Sequence, residues 1–371
     1  MKDFLKDKLS SFNMQKIIQV NLEHLKSMLP KDKPSINIGL DIGTSSIKAV
    51  ACKIEKDKVE LVNFAIKPLD KDYISDSISR TIKELNIETK SVNISIGGQG
   101  VVTRSVKFPR MSLSDVKNAV GFEAEKHIPF PLNEVYLDCY ILKQLPDENK
   151  MLVLVAAAKK ELVLQRLSLL KPISLAVNLI DIDSVALINL VNGIEFKTKA
   201  VSSGTAQNTE QKKAVALLNL GANFTSLCII ENGIPRFVRD IFIGGNDLTK
   251  RISNILGIGL AEAEKAKCIP SEGWDKVVGA CESILNNLVN ETRLSFDYFE
   301  SESGVPISYL YLSGGASYLQ GVDEIIKTNL NVETKYLNPI VDFSINKDLV
   351  GRLEPEARKL SVAMGLALRS K

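Results

Sequence analysis

A strand–turn–strand pattern occurs twice in this chain, and its repetition constrains the fold more than any other feature of the 371 residues. The first copy, Ile36–Val50, reads INIGLDIGTSSIKAV: an apolar run rich in β-branched residues, a turn of small residues, and a second apolar run. The second copy, residues 214–231, has the same layout around Gly221–Thr225 and begins about 180 residues later. Two units of one design predict a duplicated α/β fold with a cleft between its halves.

The turn of the first copy, residues 41–46, consists of residue types that suit phosphate binding. Glycine lets the backbone approach a ligand closely, and successive backbone N–H groups in such a turn form an anion-binding concavity. Asp41 could hold a hydrated Mg²⁺, and Lys48 could reach a phosphate as a point charge. An ordinary hairpin turn is the alternative interpretation of this hexapeptide.

A third turn of small residues, Ser313–Ser317, lies between the apolar strand Ile307–Leu312 and the helix predicted for Leu319–Asn329. A glycine turn in this position supplies another edge that can face an anion or a nucleotide. Before it, Trp274–Ser301 has the spacing of a long amphipathic helix.

The composition is that of an ordinary folded protein and excludes several functional classes. The 47 basic and 44 acidic residues leave a net charge of +3, which does not favour a nucleic-acid partner. No run of about 18 apolar residues predicts a membrane-spanning helix. The five cysteines are scattered without a C-x-x-C motif, so we expect reduced thiols in a cytoplasmic protein and no metal site built on them.

Two segments differ from the rest of the chain. In residues 1–35, large apolar residues recur at three- and four-residue spacing, which predicts one amphipathic helix or two short ones. This N-terminal extension could dock on its own domain, on a partner or on an anionic membrane surface, and its balanced charges favour protein over lipid. Residues 197–213 contain almost no apolar residue and are typical of a flexible surface loop.

Residues 92–171 are predicted to form a compact unit between the first and second turns. Their spacing predicts a short strand at Ser91–Ile96, a helix at Ser112–His127 that ends before two prolines, and a helix at Lys160–Leu170. Two further strands separate these helices. A unit of this size and position is typical of a small inserted subdomain.

The three turns resemble the nucleotide-binding loops of the actin / Hsp70 / sugar-kinase ATPase superfamily, with phosphate loops at residues 41–48 and 220–225 and an adenosine loop at residues 313–317. Within that superfamily, the chain resembles the PilM family of type IV pilus assembly proteins. The phrases that carry this resemblance are GLDIGTSSIKAV, EAEKHIPFPLNEV, NGIPRFVRDIFIGGNDLT and LYLSGGASYLQGV. The resemblance runs from about Ile36 to Leu368.

The resemblance implies an actin-like duplicated ATPase fold, in which two RNase H-like domains surround a nucleotide cleft. An inserted subdomain 1C of the FtsA type would replace subdomain 1B of actin. The implied division is an N-terminal amphipathic extension (1–35), subdomain 1A (36–91 and 172–196, with a return at 341–371), inserted subdomain 1C (92–171), a flexible loop (197–213), subdomain 2A (214–243 and 306–340) and subdomain 2B (244–305).

The same resemblance implies ATP and Mg²⁺ as cofactors, with Asp41 holding Mg²⁺ through water. Glu264 and Lys267 would face ribose and adenine, although an acid and a lysine three residues apart on a helix are usually a solvated face. Asp183 would orient an attacking water, or Asp181 and Asp183 would be strand-end acids satisfied by neighbouring backbone. The implied nucleotide contacts are Gly43, Thr44, Ser45, Ser46, Lys48, Asn219, Gly221, Ala222, Asn223, Thr225, Gly244, Gly245, Glu264, Lys267, Gly314, Gly315 and Ala316.

The chain departs from the family pattern at Asn219, where the second phosphate loop usually opens with aspartate. An amide can still hydrogen-bond a Mg²⁺-bound water, but it supplies no charge and cannot act as a base. The sequence therefore predicts ATP binding with at most weak ATPase activity.

The function implied by the resemblance is a cytoplasmic ATP-binding scaffold at the inner face of the cell membrane. It would bind the N-terminal cytoplasmic tail of a PilN-like membrane protein in a groove near subdomains 1A and 1C, and link it to PilO/PilC-like platform and motor proteins. Self-association stays open, and no nucleic acid is expected. The alternatives are an FtsA-like division or filament-forming protein and a small-molecule kinase of the same superfamily.

Overall fold

The computed structural model describes residues 35–55, 58–195, 213–269, 273–341 and 343–369. Apart from their end residues Ser35 and Lys213, the predicted N-terminal helix and the predicted loop at 197–213 lie outside these ranges. Within them, no helix combines the length and the apolar character that crossing a membrane requires.

Runs of one to three strands are separated by helices along the chain, as expected for an α/β protein. The strands are β1 Ser35–Ile42, β2 Ser46–Glu55, β3 Lys58–Pro68, β4 Ser91–Ile96, β5 Val101–Pro109, β6 Val135–Leu145, β7 Lys150–Lys159, β8 Ala176–Ile182, β9 Ala214–Leu220, β10 Thr225–Glu231, β11 Ile234–Ile241, β12 Ile307–Ser313, β13 Thr334–Tyr336 and β14 Ser344–Ile345. The helices are α1 Ile74–Glu84, α2 Leu113–Ala124, α3 Lys160–Leu170, α4 Asp183–Glu195, α5 Gly245–Leu256, α6 Leu260–Cys268, α7 Trp274–Ser303, α8 Val322–Leu330, α9 Lys347–Leu353 and α10 Ser361–Ala367.

Two sheets repeat the same strand order, which confirms the predicted duplication. The first sheet runs β14-β3-β2-β1-β4-β8, and the second runs β11-β10-β9-β12-β13. In each, a three-stranded antiparallel meander is followed by a parallel neighbour, β4 beside β1 and β12 beside β9. Both predicted strand–turn–strand units are antiparallel hairpins, β1–β2 and β9–β10, in equivalent positions of the two sheets.

A third sheet, β5-β7-β6, forms the inserted unit with α2 packed on one face. The predicted boundary at residue 92 is wrong, because β4 belongs to the first sheet, where it pairs with β1 and β8. Val92, Ile94 and Ile96 are fully buried, and Asn93 and Ser95 between them are nearly so, as expected for a central strand covered on both faces. The separate sheet therefore begins at Val101, after the Gly97-Gly98 turn.

Helices α4 and α10 pack between the two large sheets and form one apolar core with residues from both. The helices approach each other closely because Gly365 of α10 lies against the carbonyl of Ala186 in α4. Gly39 of β1 lies in the same way against the carbonyl of Ala363. A methyl group at either glycine would overlap backbone atoms, so these contacts fix how closely α10 packs against α4 and β1.

Candidate functional site

The three predicted turns meet at one cavity of about 370 Å³ between the two halves of the molecule. We refer to this cavity as the cleft. The predicted site residues that line it are Asp41, Gly43, Thr44, Ser45, Ser46, Lys48, Asp183, Asn219, Gly221, Ala222, Gly245, Glu264, Lys267, Gly314, Gly315 and Ala316. The tertiary structure thus brings together residues that are up to 275 positions apart in the chain.

The first turn brings a carboxylate and an ammonium group together in the cleft. Asp41 and Lys48 face each other in the register of the β1–β2 hairpin, and Lys48 Nζ lies 3.0 Å from Asp41 Oδ2. Gly43 closes the turn by donating its N–H to Ser46 O at 3.1 Å. A Cβ at Gly43 would lie 2.8 Å from Lys48 Nζ, so the absence of a side chain keeps the space around the ion pair open.

The second turn uses its backbone to hold the start of α5. Gly245 and Asn246 donate their N–H groups to the carbonyls of Gly221 and Ala222 at 2.9 and 2.8 Å. These N–H groups are therefore engaged by protein. A Cβ at Gly244 would lie 2.5 Å from Ala222 O, which explains why a glycine precedes the helix.

Three predicted nucleotide contacts support this turn and do not line the cleft. Thr225 is buried and donates its hydroxyl to Ile243 O at 2.8 Å. Asn223 accepts a hydrogen bond from the side chain of Asn246 at 2.6 Å. Gly244 lies behind Ala222. The structure therefore places Thr225, Asn223 and Gly244 outside the lining of the cleft, and their part in nucleotide binding stays a prediction.

The third turn closes the opposite wall of the cleft. Gly314 has a φ of +86°, and a side chain on it would overlap the carbonyl of Leu220. The N–H of Gly314 donates to Arg358 O at 2.9 Å. The guanidinium of Arg358 stacks 3.9 Å from the ring centroids of both Tyr318 and Tyr336, which fixes the loop from behind.

Lys267 is buried, so the alternative of a solvated helix face is wrong for this residue. Its ammonium donates to Gly245 O at 3.1 Å, to the Thr249 hydroxyl at 2.8 Å and to Glu264 at 2.6 Å, tying α6 to the start of α5. Glu264 remains half-exposed on the cleft wall. Burial alone would raise the pKa of Glu264, but the hydrogen bonds from Lys267 and Thr249 hold it below its ordinary value.

The two acids at the end of β8 have different environments. Asp181 is fully buried, accepts the Ile182 N–H at 2.8 Å and lies 3.0 Å from Arg369 Nε. Burial raises the pKa of Asp181 to about 6 in spite of that arginine. Asp183 instead lines the cleft, packed against Gly97. Burial and the neighbouring Asp41 carboxylate raise the pKa of Asp183. Asp181 is thus part of the core, whereas Asp183 could accept a proton from a molecule in the cleft.

Asn219 is the penultimate residue of β9, as Asp41 is of β1, and it faces the cleft from the second half of the molecule. Among the described residues, no cluster of three or more His, Cys, Asp or Glu side chains could hold a metal ion. A cation in the cleft would therefore have Asp41 as its principal carboxylate, with water and ligand oxygens completing the shell. That arrangement suits Mg²⁺, which usually keeps several waters.

Two charged residues of the cleft were not predicted from the sequence. Arg166 extends from α3 and donates Nη1 to Ile42 O at 2.8 Å, immediately before the first turn. Lys359 lies near the third turn and pairs with Glu356 at 2.7 Å. No local pattern marks either residue as part of a site: the neighbours of Arg166 indicate only a helix, and Lys359 follows Arg358 as one of two adjacent basic residues.

A second cavity of about 880 Å³ lies where the inserted sheet meets the second sheet. We refer to it as the groove. Its walls come from β5 and β11, which are edge strands of their respective sheets. Side chains join the two strands: Arg104 Nη1 donates to Val238 O at 3.2 Å, and the Ser105 hydroxyl donates to Pro235 O at 2.8 Å. Edge strands carry unpaired backbone groups, which an extended peptide can use.

Asp240 connects the groove to the cleft and was also missed by sequence analysis. Its carboxylate accepts the Ser226 hydroxyl at 2.8 Å and the Gly98 N–H at 3.0 Å. Burial raises its pKa, and the two hydrogen bonds oppose that increase. Gly98 and its neighbour Gly97 thus lie between Asp240 on the groove side and Asp183 on the cleft side.

Comparison with known proteins supports the predicted fold. The family model described as "Type IV pilus assembly protein PilM" matches residues 39–371. A solved structure, "PilM-PilN type IV pilus biogenesis complex", is 25% identical with a TM-score of 0.78, and the match covers 91% of this chain and 99% of that one. The ethanolamine utilization protein EutJ from Carboxydothermus hydrogenoformans is 15% identical with a TM-score of 0.51, covers 94% and 95% of the two chains, and shares the fold alone.

Among curated proteins, the cell division protein FtsA of Bacillus subtilis (strain 168) is 23% identical over 259 residues. That match covers 62% of this chain, and the chain spans 57% of the length of FtsA. The predicted actin-like fold with an FtsA-type insertion is confirmed by these matches and by the repeated strand order.

Proposed function

Because the chain belongs to the type IV pilus assembly protein PilM family, we propose that it is a nucleotide-binding scaffold of a pilus assembly machine. It binds the N-terminal tail of a PilN-like membrane protein and couples that protein to platform and motor components. The protein lies in the cytoplasm and is held at the inner face of the membrane through this partner. The observation that carries the proposal is the structural match over 99% of a chain from a PilM-PilN type IV pilus biogenesis complex.

The cleft fits ATP with Mg²⁺. Asp41 would hold the cation through water, and Thr44, Ser45 and Ser46 would present backbone N–H groups to phosphate. With a cation at Asp41, the Lys48 ammonium becomes available to phosphate oxygens. The turn at residues 314–316 and the half-exposed Glu264 would lie against adenosine.

The ligand supplies a transferable terminal phosphoryl group when bound, but the chain's own residues promote its hydrolysis poorly. Asn219 contributes an amide where a carboxylate would add charge. Asp183 is the remaining group in the cleft that could orient a water and accept its proton. We therefore assign ATP mainly the role of a ligand that holds the two halves together.

The groove fits the partner tail. It lies between edge strands, and its walls combine the exposed ring of Phe242 with the charged side chains of Arg104 and Arg239. An extended segment can pair its backbone with a strand edge while its side chains occupy apolar positions along the groove. The groove also touches the inserted unit through Phe130 and Lys159, in the region where the partner tail is expected.

The proposal is tested by titrating the full chain with a synthetic N-terminal peptide of the PilN-like partner encoded in the same organism. We expect saturable binding that the substitution Phe242→Ser weakens by roughly tenfold or more, because an aromatic anchor in the groove is lost. Phe122→Ser is the matched control, since Phe122 is exposed on α2 and does not line the groove. Absence of binding at high micromolar peptide, or equal losses in both variants, would contradict the assignment.

The FtsA match supports a second candidate, a filament-forming membrane-associated protein. Nucleotide-dependent sedimentation with anionic liposomes in the absence of the partner peptide would favour this candidate. A protein that stays in the supernatant with and without nucleotide would count against it.

A further inference from the structure

Four basic side chains line the cleft, and three of them are already neutralised by a carboxylate. Lys48 pairs with Asp41 at 3.0 Å. The other two pairs are Lys267 with Glu264 and Lys359 with Glu356, at 2.6 and 2.7 Å. Within the part of the chain that the structure describes, Arg166 has no carboxylate oxygen within 4.0 Å of its guanidinium. Asp183 of the same cleft is near enough for the charge of Arg166 to lower its pKa, but the two groups do not form an ion pair, so the N–H groups of the guanidinium remain available to an anion.

The position of Arg166 is fixed by the backbone of the first turn. Its Nη1 donates to Ile42 O at 2.8 Å, and Ile42 directly precedes Gly43. A guanidinium carries five N–H donors in a planar fork, so this single bond orients the group and leaves most of its donors for a ligand. The side chain is half-buried, which strengthens any charge-assisted hydrogen bond that it makes.

Arg166 lies beside the first turn through its bond to Ile42 and is close to Asp183, which packs against Gly97. The third turn lies on the opposite wall, where Gly314 contacts Leu220 and bonds to Arg358. A nucleotide whose adenosine lies against the third turn would extend its phosphates toward Asp41 and Arg166. The group that reaches Arg166 is then the outermost phosphate, which carries the largest charge.

We propose that Arg166 binds the terminal phosphate of a nucleoside triphosphate in the cleft and makes the site prefer the triphosphate to the diphosphate. This inference rests on the proposed function, in which the cleft binds nucleotide. Arg166 is a binding residue in this proposal, and its bond to Ile42 holds it ready for the ligand.

If Arg166 binds the terminal phosphate, the inserted unit connects the groove to the nucleotide through helix α3. Helix α3 begins at Lys160, directly after β7 of the inserted sheet. Lys159 at that junction lines the groove, and Arg166 two turns later lines the cleft. A shift of this helix would therefore move a wall of the groove and the phosphate contact together.

The test compares the affinities of the full-length chain for Mg²⁺ with a non-hydrolysable ATP analogue and for Mg²⁺ with ADP, measured by calorimetry. In Arg166→Gln we expect triphosphate affinity to fall by roughly tenfold or more, while ADP affinity changes by less than about twofold. Arg166→Lys keeps the charge but loses the planar fork of N–H donors. Its affinity for the triphosphate should therefore lie between those of the parent and of Arg166→Gln. Gln165→Ala, an exposed neighbour on α3, is the control, and circular dichroism checks that every variant is folded.

Equal weakening of the triphosphate and the diphosphate would overturn the inference, because it would mean that Arg166 only supports the first turn through Ile42. Unchanged affinities for both ligands would overturn it as well. A parent protein that binds neither ligand would instead refute nucleotide binding itself, and the role of Arg166 with it.

Discussion

The two hairpins that face each other across the cleft have the same strand pairing but different chemistry. In the first, the cleft-facing groups are the Asp41–Lys48 ion pair, and Gly43 closes the turn within the hairpin. In the second, the position equivalent to Asp41, the penultimate residue of its strand, is the amide of Asn219, and the turn carbonyls hold the start of α5. Of the two hairpins, the first therefore supplies charged groups to the cleft, and the second serves mainly as a rigid wall. In a duplicated fold, one copy of a hairpin can thus provide the ligand-binding groups while the other copy stabilises the surrounding structure.

The largest expected effect comes from removing the charge of the first hairpin. Asp41→Ala should weaken binding of Mg²⁺ and ATP by about a hundredfold or more, because it removes the principal carboxylate for the cation. Asn219→Ala should weaken it by less than about fivefold, since only an amide hydrogen bond is lost. Calorimetric titration of both variants measures the contrast. Similar losses in the two variants would show that the hairpins share the chemistry equally.

The second expected effect is on stability, and it is larger at the second turn, against which Gly244 packs, than at the first turn, which contains Gly43. Gly244→Ala should lower the free energy of unfolding by about 1–3 kcal/mol, because the new Cβ would lie 2.5 Å from a backbone carbonyl. Gly43→Ala should cost less, about 1 kcal/mol, since its Cβ would meet the mobile end of Lys48 at 2.8 Å and one backbone oxygen, Ser46 O, at 2.9 Å, whereas all three atoms nearest to a Cβ at Gly244 are backbone atoms. Urea denaturation of the two variants and the parent tests this difference. A larger loss in Gly43→Ala would contradict the assignment of support to the second hairpin.

The third expected effect depends on pH and concerns Asp183, the acid beside the first hairpin. Burial and Asp41 raise the pKa of Asp183 to about 7, above its ordinary value of 3.8, so the folded protein binds this proton more tightly than the unfolded chain. The stability contributed by the proton is fully present below about pH 4 and is lost as the pH rises to 7. Asp183→Asn removes this dependence. At pH 8 the variant should be more stable than the parent, by up to about 4 kcal/mol, because the pKa rises from 3.8 to about 7 and each pKa unit corresponds to about 1.4 kcal/mol.

The measurement for this prediction is thermal or urea unfolding of parent and variant from pH 4 to pH 8. The difference between the two proteins should shrink toward zero at pH 4. Asp181→Asn does not serve as the control, because it also breaks the contact with Arg369 in the core. A difference that stays constant across the range would mean that Asp183 titrates normally in the folded protein.

Sequence reasoning predicted the elements of the fold more accurately than their boundaries. The hairpins, the long helix now seen at Trp274–Ser303 and the repeated order of elements all follow from residue spacing. The start of the insertion was misplaced, because a short strand such as β4 has the same local pattern whether it joins one sheet or another. Only pairing partners far along the chain decide between the two sheets.

The sequence by itself determined where the ligand-facing turns are, since the β-branched runs and the small residues between them act over a few neighbouring positions. It also identified Asp41, Lys48 and the exceptional Asn219. Only the tertiary structure decided which charges meet in the cleft. Arg166 bonds to a carbonyl 124 positions away, and Lys267 is buried because α6 packs against α5. The reason is physical: burial and electrostatic pairing depend on which side chains are close in space, and separation along the chain does not specify that distance.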